Sequence, residues 1–144
     1  MALEEIKTKF GGKWKLDRSE NFEEFLKEMG VNFAIRKMAG LSKPEQEVRV
    51  EDGSVVICIK AGFWNKESKI KLEEEYEEDR DGVKMKCFAK YENGQLIVDG
   101  KPIDKTDFKP QHVVREIIND EMVMRIVVGD NYLTCTRVFK RLPQ

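Results

Sequence analysis

Two arginines interrupt apolar rows near the end of the chain. Side chains of an extended segment alternate between faces, so Leu133, Cys135, Arg137 and Phe139 share one face while Thr134, Thr136 and Val138 share the other. By the same rule Val113, Arg115 and Ile117 share a face of an earlier segment. If these rows turn inward, two guanidinium groups enter an apolar interior. A buried ion without a partner is costly, and arginine cannot relieve that cost by releasing its proton. Neither row contains an acidic residue, and Glu116, the neighbour of Arg115, points the other way. The missing negative charge would then come from outside the chain. A carboxylate suits the role, because guanidinium offers it two parallel hydrogen bonds. If the rows turn outward, or each arginine meets a buried glutamate, the same residues are ordinary cations. The rows alone leave both arrangements open.

Other constellations carry less. His112 is the sole histidine and has no companion for a metal site or a triad. Cys58, Cys87 and Cys135 are an odd number of thiols with no close pair, which argues against a disulfide framework or a zinc knuckle. Each sits in an apolar or alternating run and reads as core or cavity lining. The acidic run Glu73-Glu74-Glu75, with Glu77, Glu78 and Asp79, lacks the spacing of a calcium loop and reads as a solvated strand and turn. No serine or cysteine has an evident general base, and no glycine-rich phosphate loop is present. No enzyme activity, metal or cofactor is therefore expected. A net charge of −1 sets up no field that would favour nucleic acid.

The elements that hold the two rows are read from the period of the apolar positions. The chain has 144 residues, 40% hydrophobic and 37% charged, which suits one globular domain over 1–144. Met1 to Phe10 is charged, lacks an apolar stretch and does not read as a secretory leader. No segment is long enough to span a membrane as a helix, and a reducing, cytoplasmic setting is the default. Lys13 to Leu16 reads as a short strand. Helical spacing then takes over across about 21–40. Asn21 and Glu24 make a capping pair, Phe22, Phe25, Leu26 and Met29 form one stripe, and Gly30 stops the helix. Val31, Ala34, Ile35 and Met38 form the stripe of a second short helix that ends near Gly40.

After Pro44 the period becomes two. Strands are expected at Val48–Val50, Val55–Lys60, Lys69–Glu77, Val83–Tyr91, Leu96–Val98, Val113–Ile118, Met122–Val128 and Tyr132–Arg141. Asn93-Gly94 is the strongest hairpin signal. Asp99 to Gln111 reads as one long irregular connection. An antiparallel meander of this kind removes its edges by closing, which gives an up-and-down barrel.

The entry segment Gly12-Lys13-Trp14, Ser19-Glu20-Asn21-Phe22 and Glu23-Glu24-Phe25-Leu26, then Gly30 to Lys37 and Lys43-Pro44, resembles the intracellular lipid-binding protein family of fatty-acid-binding and cellular retinoid-binding proteins. The distal Val114-Arg115-Glu116 and the closing Cys135-Thr136-Arg137-Val138-Phe139 carry the same resemblance, which covers nearly the whole chain. It implies an all-β fold, a ten-stranded antiparallel barrel capped by a helix-turn-helix lid. It also implies that Arg115 and Arg137 bind the carboxylate of an internal ligand. A tyrosine usual at the end of that clamp is Phe139 here, which removes a hydroxyl donor. Phe22, Phe25, Leu26, Val31 and Phe63 are implied to flank the portal or line the acyl cavity. Lys27, Arg36 and Lys37 are implied to meet anionic membranes transiently during ligand transfer.

Three functions fit this resemblance. One is a monomeric carrier of a long-chain fatty acid or related amphipathic carboxylate, cytoplasmic and by family analogy also nuclear. A second is a carrier of a retinoic-acid-like ligand. A third is a peripheral membrane protein of the myelin-P2 kind, which the near-neutral charge disfavours. The extra residues before Phe10 and the 99–111 connection read as a partner site or as tolerated surface, with tolerated surface the favoured reading.

Overall fold

The computed structural model describes residues 2–62, 65–80, 82–104, 109–129 and 133–143. The chain opens with helix α1 (Ala2–Phe10), strand β1 (Gly12–Glu20), and the helical pair α2 (Phe22–Glu28) and α3 (Phe33–Leu41). Nine strands follow: β2 (Glu45–Glu51), β3 (Ser54–Lys60), β4 (Asn65–Ile70), β5 (Glu75–Arg80), β6 (Val83–Glu92), β7 (Gln95–Pro102), β8 (Gln111–Ile118), β9 (Glu121–Val128) and β10 (Leu133–Arg141). Antiparallel ladders link them in the order β4-β3-β2-β1-β10-β9-β8-β7-β6-β5. The expected meander is thus present, and the β1–β10 ladder joins its first and last strands. The result is a nearly closed ten-stranded barrel. Among the described residues no ladder joins β4 to β5, yet the Lys66 ammonium on β4 lies 3.3 Å from the Glu78 carboxylate on β5. The last gap is spanned by side chains.

Local chemistry explains the regular parts. On β6, Met85, Cys87 and Ala89 point inward while Lys84, Lys86 and Phe88 point out, the alternation of a half-buried strand. At the β6–β7 hairpin Asn93 and Gly94 have φ of 52° and 77°, the left-handed pair that a two-residue turn requires and that Asn-Gly supplies at low cost.

Several expectations need correction. The segment Ala2–Phe10 is not tolerated surface. Leu3, Ile6 and Phe10 repeat at helical spacing, and Ile6 and Phe10 are wholly buried in the core cluster with Trp14. The Trp14 indole Nε1 donates to the Phe10 carbonyl at 2.8 Å. Arg141 donates to the carbonyls of Lys9 and Gly11 and lies over the Trp14 ring, placing a cation at the helix C-terminus where the dipole favours it.

Asn21 does not cap α2. Its backbone is left-handed, and its side chain donates instead to the Thr134 carbonyl. The capping amide is Asn32, whose Oδ1 accepts from the Ile35 amide at 3.0 Å. The single expected strand over Lys69–Glu77 is two strands, because the chain turns at Glu73 (φ 63°). Asp99 to Pro102 belongs to β7 and is not irregular, while 105–108 lie outside the described residues. Cys58 faces outward, within 3.3 Å of Glu67, unlike the buried Cys87 and Cys135. The expected second stripe of Val31, Ala34, Ile35 and Met38 does not turn inward as a whole: Val31 is half-buried, but Ala34 is exposed, Ile35 is 40% and Met38 48% exposed, and the buried residue of α3 is Ala39.

Candidate functional site

The barrel encloses a cavity of about 420 Å3, within the size range of ligand-binding cavities. The sequence-predicted Phe22, Phe25, Leu26 and Val31 all line it, as do Arg115, Arg137 and Phe139. Phe63 lies outside the described residues.

Strand register places the two arginines relative to each other. Arg137 on β10 and Arg115 on β8 both pair with Met124 on β9, one from each side. Paired residues point to the same face, so both guanidinium groups project inward from one ring of the barrel, with strand axes about 10 Å apart. Both residues are buried, at 8% and 7% exposure. No carboxylate lies within ion-pair distance of either among the described residues. The inward register, one of the two arrangements left open by the sequence, is the one adopted.

Each guanidinium is oriented by neutral partners. Arg115 Nε donates to Gln46 Oε1 at 3.2 Å, and Gln46 Nε2 donates to Met124 Sδ. Gln46 comes from β2 and is 1% exposed, so it reaches Arg115 across the interior. Arg137 Nε donates to Ser19 Oγ at 3.0 Å, and the Phe22 ring of the lid covers the guanidinium face at 3.6 Å. Phe22 in turn stacks on Phe25. The lid therefore touches the cation directly. Burial, together with the Arg80 charge, pushes Arg115 down to about 10, and burial pushes Arg137 down to about 10. Both remain cationic at neutral pH. Burial also lifts the Cys135 thiol to about 11 despite Arg137 nearby, so it stays protonated and inert.

Gln46 was missed by sequence reasoning, although it shares the β2 face with Val48 and Val50 and its polarity there was legible. Also missed was a second polar group. Tyr76, Glu78 and Arg80 turn into the cavity from β5, while Glu75, Glu77 and Asp79 face solvent. The acidic run is therefore solvated on one face only, because alternation sends every second residue inward. Glu78 meets Arg80 at 2.8 Å and Lys66 at 3.3 Å. Burial raises its carboxyl, but the charges of Arg80 and Lys66 and the bonds from Arg80 and Ser68 outweigh burial and hold it below the ordinary value of 4.5. A carboxylate held low in the folded state adds stability that is complete above its ordinary value and lost as pH falls through its lowered one. Glu78→Gln is therefore expected to lower the melting temperature at pH 7, with the difference from the parent protein shrinking as pH falls from 4.5 towards 3. A difference that stays constant with pH would contradict this account.

Phe139 is 1% exposed and sits two residues from Arg137 on the same inward face, in a row with Leu16 and Met122. No hydroxyl stands there. Phe139→Tyr is expected to tighten carboxylate binding by roughly threefold to tenfold, the worth of one added hydrogen bond, as read by calorimetric titration.

The basic lid residues separate. Lys27 is exposed and Lys37 is 59% exposed. Arg36 is not a free surface cation: its guanidinium donates to the Val31 carbonyl at 2.7 Å and is 17% exposed. Its bond closes the α2–α3 junction.

A nearly closed antiparallel barrel, an apolar cavity and two interior guanidinium groups define a protein built to enclose a molecule. The chain belongs to the lipocalin / cytosolic fatty-acid binding protein family, whose model matches residues 11–141. It is 36% identical to human fatty acid-binding protein 9 over 92% of this chain and 97% of that one. It is 37% identical to mouse cellular retinoic acid-binding protein 2, again over 92% and 97%. Among solved structures, apo Caenorhabditis elegans lipid binding protein 8 superposes with a TM-score of 0.86 at 28% identity, covering 94% of this chain and 96% of that one.

Proposed function

We propose that the protein is a carrier that holds a long-chain fatty acid, or a similar amphipathic carboxylate, inside its barrel. The observation that carries this reading is the pair Arg115 and Arg137, buried in one ring of the wall without a carboxylate partner among the described residues. A ligand carboxylate pairs with them and offsets half of their charge, and the acyl chain fills the apolar remainder of the cavity at about 25 cal/mol per Å2 buried. Phe22, lying on Arg137, couples the lid to the head-group site, so the lid gates entry. The chain acts as one domain and a monomer, not as an enzyme, and its family supports a cytosolic setting.

Native mass spectrometry of the protein as purified from cells, followed by extraction of what is bound, tests this. A fatty acid near one per chain is expected. A delipidated protein that refuses added fatty acid overturns the reading.

A second reading, a retinoic-acid-like ligand, is favoured by the similarity to the retinoic acid-binding relative. The two arginines serve either carboxylate. Displacement of a fluorescent fatty acid by retinoic acid far more readily than by palmitic acid would make this second reading the correct one. Phe33 (61% exposed), Met38 and Leu41 on α3, beside Lys37, support transient contact of the lid with anionic membranes.

A further inference from the structure

One buried amide has more donor capacity than the protein uses. Gln46 lines the cavity and is 1% exposed. Its ladder neighbours are Trp14 on β1 and Ile59 on β3, so nothing beside it in the wall calls for a polar side chain. Its Oε1 is taken by Arg115 Nε at 3.2 Å. Its Nε2 carries two N–H groups, and the acceptor it finds among the described residues is the Met124 sulfur at 3.6 Å. A thioether is a weak acceptor. A buried donor so poorly satisfied is unfavourable, and a ligand oxygen in the cavity would relieve it.

The amide is also well placed. Met124 stands between Arg115 and Arg137 in the ladders of β8, β9 and β10, and all three side chains line the cavity. Gln46 Nε2, resting on the Met124 sulfur, therefore comes across the interior to the part of the wall that separates the two arginines. The acceptors nearby are already engaged: Gln46 Oε1 by Arg115 Nε, and Ser19 Oγ by Arg137 Nε at 3.0 Å. Phe139, on the same inward face as Arg137, has no polar atom to add. What this part of the wall offers a ligand is donors.

We infer that Gln46 is a specificity-determining residue: its Nε2 is a third donor to the ligand head group between Arg115 and Arg137, supplies the contact that Phe139 cannot, and restricts this position to oxygens that only accept. This deepens the carrier reading above and rests on it. An ionised carboxylate accepts from all three side chains, and bonds to a charged acceptor are the strong ones. An alcohol brings a proton that meets donors on every side. Leaving such a group unpaired is how a site rejects a close analogue. The competing account is that Gln46 only holds Arg115 in place and never touches the ligand.

The test uses the delipidated full chain and two probes of equal length, dodecanoic acid and dodecan-1-ol, titrated calorimetrically at pH 8. Gln46→Leu is expected to weaken the acid by about tenfold or more and to leave the alcohol unchanged. Adding Phe139→Tyr to Gln46→Leu restores a donor without restoring the bond to Arg115, and is expected to regain most of the lost affinity. Gln46→Glu keeps an acceptor for Arg115 Nε but turns the donor into an acceptor. It is expected to weaken the acid and tighten the alcohol, reversing the preference. An acid-to-alcohol ratio that Gln46→Leu does not change overturns the inference and leaves the carrier reading standing. A loss that Phe139→Tyr does not regain shows that Gln46 only holds Arg115, and overturns it too. So does an alcohol affinity that Gln46→Glu leaves unchanged. Failure of the parent protein to bind the acid overturns the carrier reading itself.

Discussion

Replacing Arg115 by methionine is expected to make the ligand-free protein more stable while nearly abolishing carboxylate binding. Arg115 is a buried cation whose one direct side-chain bond among the described residues is to a neutral amide, with Arg80 adding repulsion. Removing an uncompensated buried charge returns several kcal/mol. The change also leaves Gln46 Oε1 without its donor, a loss of about 1–3 kcal/mol for a buried acceptor. The first effect is the larger, because an ion costs more to desolvate than an amide. A net gain of about 1–2 kcal/mol follows, or roughly 3–8 °C in melting temperature for a chain of this size. Adding Gln46→Leu removes the orphaned amide and is expected to raise the value further. In the same variant, carboxylate affinity falls by about 30-fold or more. Scanning calorimetry and fatty-acid titration of one preparation measure both. A fall in the melting temperature of the ligand-free variant would show that Arg115 is structural, not held in reserve for a ligand.

Phe10→Ala is expected to cost about 3–5 kcal/mol, read from denaturant unfolding, although Phe10 lies just before the family match begins at residue 11. Its side chain is fully buried, meets the edge of Tyr91 with ring centres 6.2 Å apart, and sits in the core beside Trp14. Its carbonyl also receives the Trp14 indole proton. Truncation opens a cavity that the barrel cannot collapse into, because the strands around it are fixed by their ladders. Phe10 does not line the ligand cavity, so acyl affinity is expected to change little. A loss below about 1 kcal/mol would mean that α1 is loosely attached and that its burial is not maintained in solution.

The barrel and its lid were legible because their signals are local. Asn93-Gly94, the alternation from Val83 to Tyr91 and the stripe of Phe22, Phe25 and Leu26 each specify a conformation over a few residues. The interior arginines were legible as a question, and register answered it: pairing both with Met124 fixed their common face. What sequence reading missed depends on non-local contacts. Glu78 sits in an acidic run that looks solvated until β5 is paired with β6 and its alternate residues turn inward. Asn21 carries the residue type of a cap, yet Thr134 claims its side chain from 113 positions away. Helix α1 was readable in principle from Leu3, Ile6 and Phe10, but the charges between them hid a stripe that only Trp14 and Arg141 make sense of.

Among the described residues no ladder joins β4 to β5, and an open sheet edge invites strand addition by a second molecule in most sheets. The outward row of β5, with Glu75, Glu77 and Asp79, bears on this. Two β5 edges brought side by side would set like charges against each other. The outward half of the acidic run, which does not reach the cavity, thus disfavours edge-to-edge polymerisation. The barrel can keep a slit beside its cavity without becoming a template for fibres.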